Sequence, residues 1–260
     1  MIDLSVSLVS CNQKQDIERL LPSIITACSF LRSEILLVDN RSIDDTTGFV
    51  KGMYPSINIV ENSAIAGYGE NHNINLDRAK GRYFIIMNSD MIINSDVFLC
   101  LSDFMNEHDD IGIVSPKILN KDGTVQGLNK RYPTITDLFI RRFSPHYFSQ
   151  IQIVRRRLDY YEMRDIGYDH IYDVPFLSGS FMFCRTDLLK KVGGFDPEYF
   201  LYFEDVDLCR RVQNTHRTVY NPSSSVIHFW KREAHKNCLF TYYFIRSAFR
   251  YFNRWGYKFL

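Results

Sequence analysis

Apolar runs of β-type composition alternate with helical patterns through the first ninety residues, and this alternation constrains the fold more than any other feature. The β-type runs cover residues 4–10, 33–38, 57–61 and 83–87, and the helical patterns cover residues 16–28, 46–53 and 70–79. Strands that alternate with helices form βαβ units, whose parallel sheet is covered by helices on both faces. We therefore predict an α/β fold with a Rossmann-like, mostly parallel sheet in this half of the chain.

The second half is predicted to extend the sheet with strands of mixed direction. A hairpin signal and three further strand patterns occur there, at residues 111–128, 174–184, 217–220 and 226–229. In the hairpin, the strands 111–119 and 124–128 flank an Asn-Lys-Asp-Gly turn. No repeat or low-complexity linker interrupts the sequence. We predict one unit over residues 1–230, with a mixed sheet in its second half, and a C-terminal helical segment over residues 231–260.

Composition narrows the class of protein. With 260 residues, 45% of them hydrophobic, the chain can bury a sizeable core. The sequence contains no apolar run near the roughly 18 residues of a membrane span, and its start lacks the basic region of a signal peptide. Six cysteines without CxxC spacing favour a reduced, cytosolic chain with buried thiols.

Basic and aromatic residues are concentrated in two regions. Residues 131–164 hold seven basic and three acidic residues, and residues 228–260 hold seven basic and one acidic. In the second region Arg246, Arg250 and Arg254 recur every four residues, and aromatic residues fall mainly on the opposite face. An amphipathic helix of this kind suits an anionic membrane interface, and the alternative is that its aromatic face packs on the domain core.

Polar side chains follow the predicted strands at their carboxyl ends. Asn12, Asp39 and Asp90 each stand there, and ligands of open parallel sheets bind beyond these ends. We therefore expect the three side chains on one rim of the sheet. Asp39 can accept a hydrogen bond from the ring NH of a pyrimidine, or serve the turn before the next helix as Asp44 does.

Other residues on the predicted rim suit a metal ion and an anion. Asp90 supplies one carboxylate, and one or two suffice for a divalent cation that also binds a diphosphate. His228, at the end of a late strand pattern, is either a structural histidine or a nitrogen ligand, which suits Mn²⁺ at least as well as Mg²⁺. Gly67 opens a Gly-Tyr-Gly turn before a helix, where backbone N–H groups can approach an anion.

Three carboxylates open a predicted helix late in the chain. Glu204, Asp205 and Asp207 follow an aromatic run and two pairs of turn residues. At the N-terminus of a helix such carboxylates complement the helix dipole. Because the first half of the chain predicts a nucleotide and metal site, the same cluster can instead supply a general base.

Six motifs follow one another over residues 4–230: VSLVSCN, LLVDNRSIDDT, AGYGENHN, IIMNSD, FLSGSFMFCRTDLLKKVGGFDPEYFLYFEDVDLCRR and VIHF. Together they resemble the family-2 inverting glycosyltransferases, and most closely the bacterial rhamnosyltransferase-type enzymes of cell-surface polysaccharide assembly. The resemblance implies the GT-A fold, a sugar-nucleotide donor and a divalent cation, Mn²⁺ or Mg²⁺. It also implies a single direct displacement that inverts the anomeric configuration.

The resemblance implies roles for individual residues as well. The nucleotide pocket would be lined by residues at the strand ends and at one helix start: Ser10, Cys11, Asn12, Asp39, Gly67 and Asn88. Asp90 and His228 match the metal ligands of the family. Asp205, beside Glu204, matches the catalytic base. Two motifs depart from the family pattern, since its Thr-Tyr-Asn is Ser-Cys-Asn here and its Asn-Pro-Asp is Asn-Ser-Asp.

From the resemblance we expect transfer of L-rhamnose from dTDP-L-rhamnose to a lipid-diphosphate-linked saccharide in surface polysaccharide (O-antigen) biosynthesis. The expected place is cytoplasmic, peripheral on the inner face of the cell membrane. The alternatives are a UDP-sugar-dependent galactofuranosyl or hexosyl transferase and a catalytically idle sugar-nucleotide-binding protein. A nucleic-acid-binding protein is disfavoured by the near-neutral pI of about 7.6.

Overall fold

The fold was analysed in a computed structural model, which describes residues 2–143, 151–230 and 238–259. The strands of these residues are β1 Ile2–Ser10, β2 Ser33–Asp39, β3 Asn58–Glu61, β4 Gly81–Met87, β5 Met91–Ile93, β6 Ile111–Leu119, β7 Tyr172–Asp173, β8 Phe181–Arg185 and β9 Arg217–His228. The helices are α1 Lys14–Ala27, α2 Thr46–Met53, α3 Tyr68–Arg78, α4 Val97–Glu107, α5 Ile135–Phe143, α6 Gln152–Tyr161, α7 Thr186–Lys191, α8 Glu204–Val212 and α9 Cys238–Trp255.

The strands of the described residues form one sheet. Its order is β3-β2-β1-β4-β8-β6-β9-β5, and β7 pairs with β9. Strands β3, β2, β1 and β4 are parallel, as predicted from the βαβ pattern. Strand β8 runs antiparallel between β4 and β6, and β6 and β9 are parallel. The predicted α/β class, with a parallel first half and a mixed second half, is confirmed.

Alternate residues of the central strands pack into two apolar cores. In β4, Ile85 packs in one core, while Phe84 and Ile86 pack in the other. The first core also contains the buried stripe of α1, in which Ile17, Leu20, Leu21 and Ile24 recur at helical spacing. Helices on both sides of a buried parallel sheet explain why its strands read as continuous apolar runs.

Four strand predictions in the second half were wrong in extent. Residues 124–128 form no strand, and Val125 makes only an isolated bridge to Leu119. Of residues 174–184, only those from Phe181 onward are extended in the sheet. The two short strands predicted at 217–220 and 226–229 are the ends of β9, which continues through an irregular register against β6.

Two prolines explain why β9 reads as two strands. Pro116 in β6 and Pro222 in β9 both lie within the interval where the register between the strands shifts. Proline has no N–H to give to the ladder, so it is accommodated at irregularities and edges of sheets. The strand therefore bends at this point but does not end.

The aromatic face of α9 packs on the domain, which is the second of the two alternatives predicted from the sequence. A third apolar cluster joins Tyr199, Phe203 and Val206 to residues of this helix: Phe244, Ala248, Tyr251, Phe252 and Trp255. The predicted C-terminal segment also includes residues 231–237 and Leu260, which lie outside the described residues, as do residues 144–150 of the first basic region. No helix in the described ranges is long and apolar enough to cross a membrane.

Two arginines of the predicted cationic stripe on α9 are paired within the protein. Arg250 contacts Asp196 at 2.7 Å and also Glu198. Arg254 contacts Asp196 at 3.1 Å and Asp207 at 3.2 Å. These pairs hold α9 against α8 and the segment before it, so this part of the stripe stabilises the fold.

Candidate active site

The adjacent ends of β1 and β2 bring two polar side chains together. Ser10 and Asp39 are partners in the parallel register and are both buried. Asp39 Oδ2 accepts the Ser42 N–H at 2.9 Å, whereas Asp39 Oδ1 and Ser10 Oγ have no hydrogen-bond partner among the described residues. Buried polar atoms without partners are rare, and here they indicate a ligand with N–H or O–H donors. Asp44, in contrast, accepts the N–H of Thr46 at the start of α2.

The residues after β1 hold the loop that follows β2. Asn12 has a φ of +56°, and its Oδ1 accepts the Ile43 N–H at 2.8 Å. Its own N–H donates to Ser42 Oγ at 3.0 Å. Cys11 beside it is exposed, and its pKa is raised by burial of the thiol and by the charge of Asp39. Asn12 therefore shapes the loop around Asp39, while Cys11 lies at its surface.

Gly67 is required for close packing at the start of α3. A Cβ at this position would lie 2.7 Å from the carbonyl oxygen of Phe200. The next N–H, of Tyr68, donates to that same oxygen at 2.9 Å, and the Gly67 N–H faces Glu70 at 3.4 Å. The structure thus gives this glycine a packing role, and its contact with a nucleotide stays a prediction.

The antiparallel pairing of β5 with β9 brings Asp90 to His228. Met91 is the register partner of His228, and the Phe229 N–H donates to the Asp90 carbonyl at 2.8 Å. As a result Asp90 Oδ1 lies 3.2 Å from His228 Nε2, with Asn88 Nδ2 at 3.3 Å from the same nitrogen. The two residues assigned to a metal from the sequence are therefore neighbours.

Gln126 fixes the tautomer of His228, so that the lone pair of Nε2 faces Asp90. The Gln126 Nε2 donates to the His228 carbonyl at 2.9 Å, which directs its Oε1 to His228 Nδ1, also at 2.9 Å. The Nδ1 therefore carries the hydrogen, and in the neutral ring Nε2 is an acceptor that faces a carboxylate. Metal-binding histidines are commonly oriented in this way by the hydrogen bond of their other nitrogen.

This pair fits a divalent cation. Within the described ranges no three His, Cys, Asp or Glu side chains meet to hold a metal by themselves. Asp90 and His228 supply two ligands, which suffices when diphosphate and water oxygens complete the shell. Two neighbouring ligands of an octahedral ion at roughly 2.1 Å lie roughly 3 Å apart. The observed separation of 3.2 Å is close to that value.

The acidic cluster opens α8, as predicted, after a strained turn. Tyr202 and Phe203 have φ values of +69° and +67°, a left-handed conformation that bulky residues rarely adopt. Such strain is characteristic of functional sites. The turn places Asp205 so that its Oδ2 accepts the Gly179 N–H at 3.0 Å. Glu204 is buried, and its Oε2 has no hydrogen-bond partner among the described residues.

Burial raises the pKa of both carboxylates of the Glu-Asp pair. It is the main cause that raises the pKa of Asp205, and the Gly179 N–H counteracts it. The pKa of Glu204 is raised further, first by burial and then by the charge of Asp205. The hydrogen bond from the Gly179 N–H favours the ionised form of Asp205, so Asp205 is the member of the pair suited to accept a proton.

Asp207 does not belong to the reactive pair. Its closeness to Asp205 in the sequence predicts that its charge raises the pKa of Asp205, but burial is the main cause of that rise. Asp207 is fully buried, pairs with Arg211 at 2.8 Å, and accepts the indole N–H of Trp255 at 2.8 Å. Its charge is thus compensated by cations of α8 and α9 and serves to hold these helices together.

One cavity of about 350 Å³ is lined by Asp205 and by His228, one of the two proposed metal ligands. Its lining includes the polar side chains of Asn88, His228, Glu204 and Asp205, together with apolar side chains of α5 and α9. Three lining residues were not singled out from the sequence: Tyr68, Lys130 and Gly179. The Tyr68 hydroxyl donates to the Gly179 carbonyl at 2.6 Å, and a Cβ on Gly179 would lie 3.3 Å from that of Asp205. The motif LSGS at 177–180 was the only sequence signal for this loop.

The amino-acid sequence is similar to a family profile and to known enzymes. The profile described as "Glycosyltransferase like family 2" matches residues 3–257. N-acetylglucosaminyl-diphospho-decaprenol L-rhamnosyltransferase of Mycobacterium tuberculosis (strain H37Rv) is 29% identical over 241 residues, which cover 86% of this chain and 75% of that protein. Rhamnosyltransferase WbbL of Escherichia coli (strain K12) is 28% identical over 201 residues, covering 73% and 71%.

Solved structures of glycosyltransferases share the fold. TarS of S. aureus, residues 1–349 with UDP-GlcNAc, has a TM-score of 0.63 at 19% identity and covers 97% of this chain and 67% of that one. The mannosyltransferase PcManGT of Pyrobaculum calidifontis, with GDP-Man and Mn²⁺, has a TM-score of 0.63 at 16% identity and covers 97% and 66%. At these identities the similarity concerns the fold alone, and it confirms the GT-A fold.

Proposed function

Since the chain belongs to glycosyltransferase-like family 2, we propose that it is a metal-dependent, inverting glycosyltransferase that moves L-rhamnose from dTDP-L-rhamnose to a lipid-diphosphate-linked saccharide. The observation that carries the proposal is one cavity lined both by a buried carboxylate base, Asp205, and by His228, whose Nε2 faces Asp90 at 3.2 Å. The choice of sugar is supported by two relatives named as rhamnosyltransferases, one of them for a diphospho-decaprenol acceptor. The product would serve surface polysaccharide, such as O-antigen.

On the donor side, the free buried oxygen of Asp39 accepts the ring N–H of the base. Ser10 Oγ beside it has no partner within the described residues and can take a further polar contact. Thymine and uracil both carry this N–H, so Asp39 accepts either. A UDP-sugar-dependent galactofuranosyl or hexosyl transferase is therefore the second candidate, supported by the shared fold with the UDP-GlcNAc complex of TarS.

On the acceptor side, Asp205 takes the proton from the attacking hydroxyl. The hydroxyl oxygen forms the new bond to the anomeric carbon while the bond from that carbon to the diphosphate oxygen breaks. Attack from the face opposite the leaving group inverts the configuration, so no protein nucleophile is required. When bound by Asp90 and His228, a divalent cation, Mn²⁺ or Mg²⁺, supplies charge stabilisation to the departing diphosphate.

A membrane contact is proposed for the outer face of α9. Tyr242, Ile245 and Phe249 are 58%, 43% and 60% exposed, and Arg246 is exposed beside them. At 100° per residue these positions share one sector of the helix, away from the aromatic face that packs on the domain. An apolar stripe with a cation suits an anionic lipid interface. We propose that the protein is cytoplasmic and peripheral on the inner face of the membrane through this stripe.

A thermal-shift comparison of dTDP, UDP, GDP and CDP, each with and without Mn²⁺, tests the donor. A nucleotide present at 100 times its Kd stabilises the folded state by about 2.7 kcal/mol. We expect the largest stabilisation with dTDP and Mn²⁺ together. A preference for UDP would agree with the mechanism but contradict rhamnose as the transferred sugar. No response to any nucleotide would contradict the donor site and favour a catalytically idle protein.

A further inference from the structure

Lys130 is a buried cation inside the cavity of the catalytic base. Its side chain is 93% buried, leaving 7% exposed, and its backbone is paired with that of Phe176 through two hydrogen bonds of 3.0 Å. The ammonium lies 4.7 Å from the centroid of the Phe176 ring. Among the described residues no carboxylate forms an ion pair with it, although Asp205 lines the same cavity.

An ammonium buried in this way costs folding free energy. Removal from water disfavours the charged form, and a partner normally compensates the loss. Burial and the neighbouring charge of Arg141 lower the pKa of Lys130 to about 7, while the charges of Asp205 and Glu162 act in the opposite direction. An apolar side chain would be more favourable for folding, so the retained cation indicates a ligand.

The surroundings of Lys130 define the chemistry of that ligand. Arg141 lines the same cavity, 4.0 Å from Glu162. The lining of the cavity also includes apolar side chains from residues 128–138 and from α9: Leu128, Pro133, Leu138, Phe240 and Phe244. Two cations among apolar side chains suit an anionic group that is joined to a hydrocarbon. The donor diphosphate is already assigned to Asp90 and His228, so this is a second anion subsite.

We propose that Lys130 binds a phosphate oxygen of the acceptor, so that the cavity selects saccharides linked to a phosphorylated lipid over neutral glycosides. The inference rests on the proposed function and deepens it by assigning the acceptor subsite. The Lys130 ammonium donates a hydrogen bond to the phosphate, and Asp205 faces a hydroxyl of the sugar attached to it. Lys130 thus determines specificity and positions the acceptor, with no covalent step of its own.

Calorimetry on the donor-free protein tests this assignment with two probes. One is a short-chain N-acetylglucosaminyl diphospholipid, and the other is neutral octyl β-N-acetylglucosaminide. Because a hydrogen bond to a charged group is involved, we expect Lys130→Met to weaken binding of the diphospholipid by roughly tenfold or more. Binding of the neutral glycoside should stay unchanged within about twofold. Lys117→Met is the matched control, since Lys117 pairs with Asp169 and does not line the cavity.

Three further readouts separate this role from a structural one. The melting temperature of Lys130→Met should equal or exceed that of the wild type, because an unpaired buried charge is removed. Lys130→Arg should restore diphospholipid binding. In the wild type this binding should weaken as the pH rises above about 7, where the ammonium loses its proton, and Lys130→Arg should abolish that dependence.

The outcomes distinguish the inference from the proposed function. If the wild type fails to bind the diphospholipid, the proposed acceptor is contradicted and the inference falls with it. If the wild type binds it and Lys130→Met binds it equally well, only the inference is overturned. Weaker binding of dTDP with Mn²⁺ in Lys130→Met would also overturn it, since Lys130 would then contact the donor.

Discussion

At the scale of single residues, the acidic cluster shows how neighbouring carboxylates acquire different tasks. Asp205 is held by a backbone N–H and borders the cavity, Glu204 is buried beside it, and Asp207 is paired with arginines on the far side of the helix. Asp207 forms ion pairs with two arginines, whereas within the described residues Glu204 and Asp205 form none. This difference follows from the direction of each side chain on α8, which the sequence pattern alone leaves open.

Replacing the base tests its assignment. We expect Asp205→Asn to fold and bind dTDP with Mn²⁺ normally but to lower kcat at least about a hundredfold, since a general base contributes about that much or more. Asp207→Asn is the control, and it should lower the melting temperature through loss of its ion pairs while the folded fraction retains its kcat. Near-normal turnover of Asp205→Asn would remove this residue from the role.

The pH dependence of turnover follows from the same burial. Because burial raises the pKa of Asp205, the ionised base should be lost as the pH falls through a value above the roughly 3.9 of an ordinary aspartate. The acidic limb of kcat/KM for the wild type is therefore expected above that value. A rate that stays constant down to pH values near 4 would contradict a buried base.

Gln126 should act on the metal through His228. Gln126→Leu removes the acceptor that holds the Nδ1 hydrogen, and loss of such a contact typically lowers metal affinity by about 10–100-fold. We expect a corresponding rise in the Mn²⁺ concentration needed for dTDP binding. Asn94→Ala, which removes an exposed hydrogen bond to Ser225 on β9, is the control and should leave it unchanged. Equal Mn²⁺ dependence of the two variants would contradict the claim that Gln126 orients His228 for the metal.

At the scale of elements, α9 has two faces with separate partners. Its aromatic face completes the third apolar cluster, and Phe240 and Phe244 reach the cavity. Deleting the helix would expose that cluster, so truncation tests stability and membrane contact together. Point substitutions on the outer face separate the two.

We expect the double variant Ile245→Glu with Phe249→Glu to lose most of its sedimentation with anionic vesicles while keeping its melting temperature. Both side chains are exposed, and glutamate opposes burial in a lipid interface and is repelled by anionic lipid. Phe30→Glu, at a residue that is 70% exposed after α1, is the matched control. Sedimentation of the double variant equal to that of the control would contradict contact through this face.

Elements with a regular period were predictable, and those fixed by distant pairing were not. The βαβ pattern placed Asp39 and Asp90 at the rim because parallel strands end together. Gln126 and Lys130 lie in an irregular segment, and their positions depend on contacts with His228 and Phe176, which are 102 and 46 residues away along the chain. The hairpin signal at 120–123 correctly marked a turn, but the segment after it forms only one bridge.

At the scale of the whole molecule, the two halves of the sheet carry different parts of the site. The parallel half ends in the residues proposed for the base of the nucleotide. The mixed half brings Asp90 to His228, which lines one cavity together with Asp205. Helix α9 and the segment at 128–138 close that cavity with apolar and cationic side chains. The molecule thus joins a polar donor side to a partly apolar acceptor side.

The most direct test is sugar transfer by the full chain with Mn²⁺, dTDP-L-rhamnose and a short-chain N-acetylglucosaminyl diphospholipid, followed by NMR of the product. The account predicts a rhamnosylated lipid whose anomeric configuration is opposite to that of the donor, formed by the wild type and almost absent with Asp205→Asn. A product with retained configuration, or equal product from the wild type and Asp205→Asn, would contradict direct displacement with Asp205 as the base.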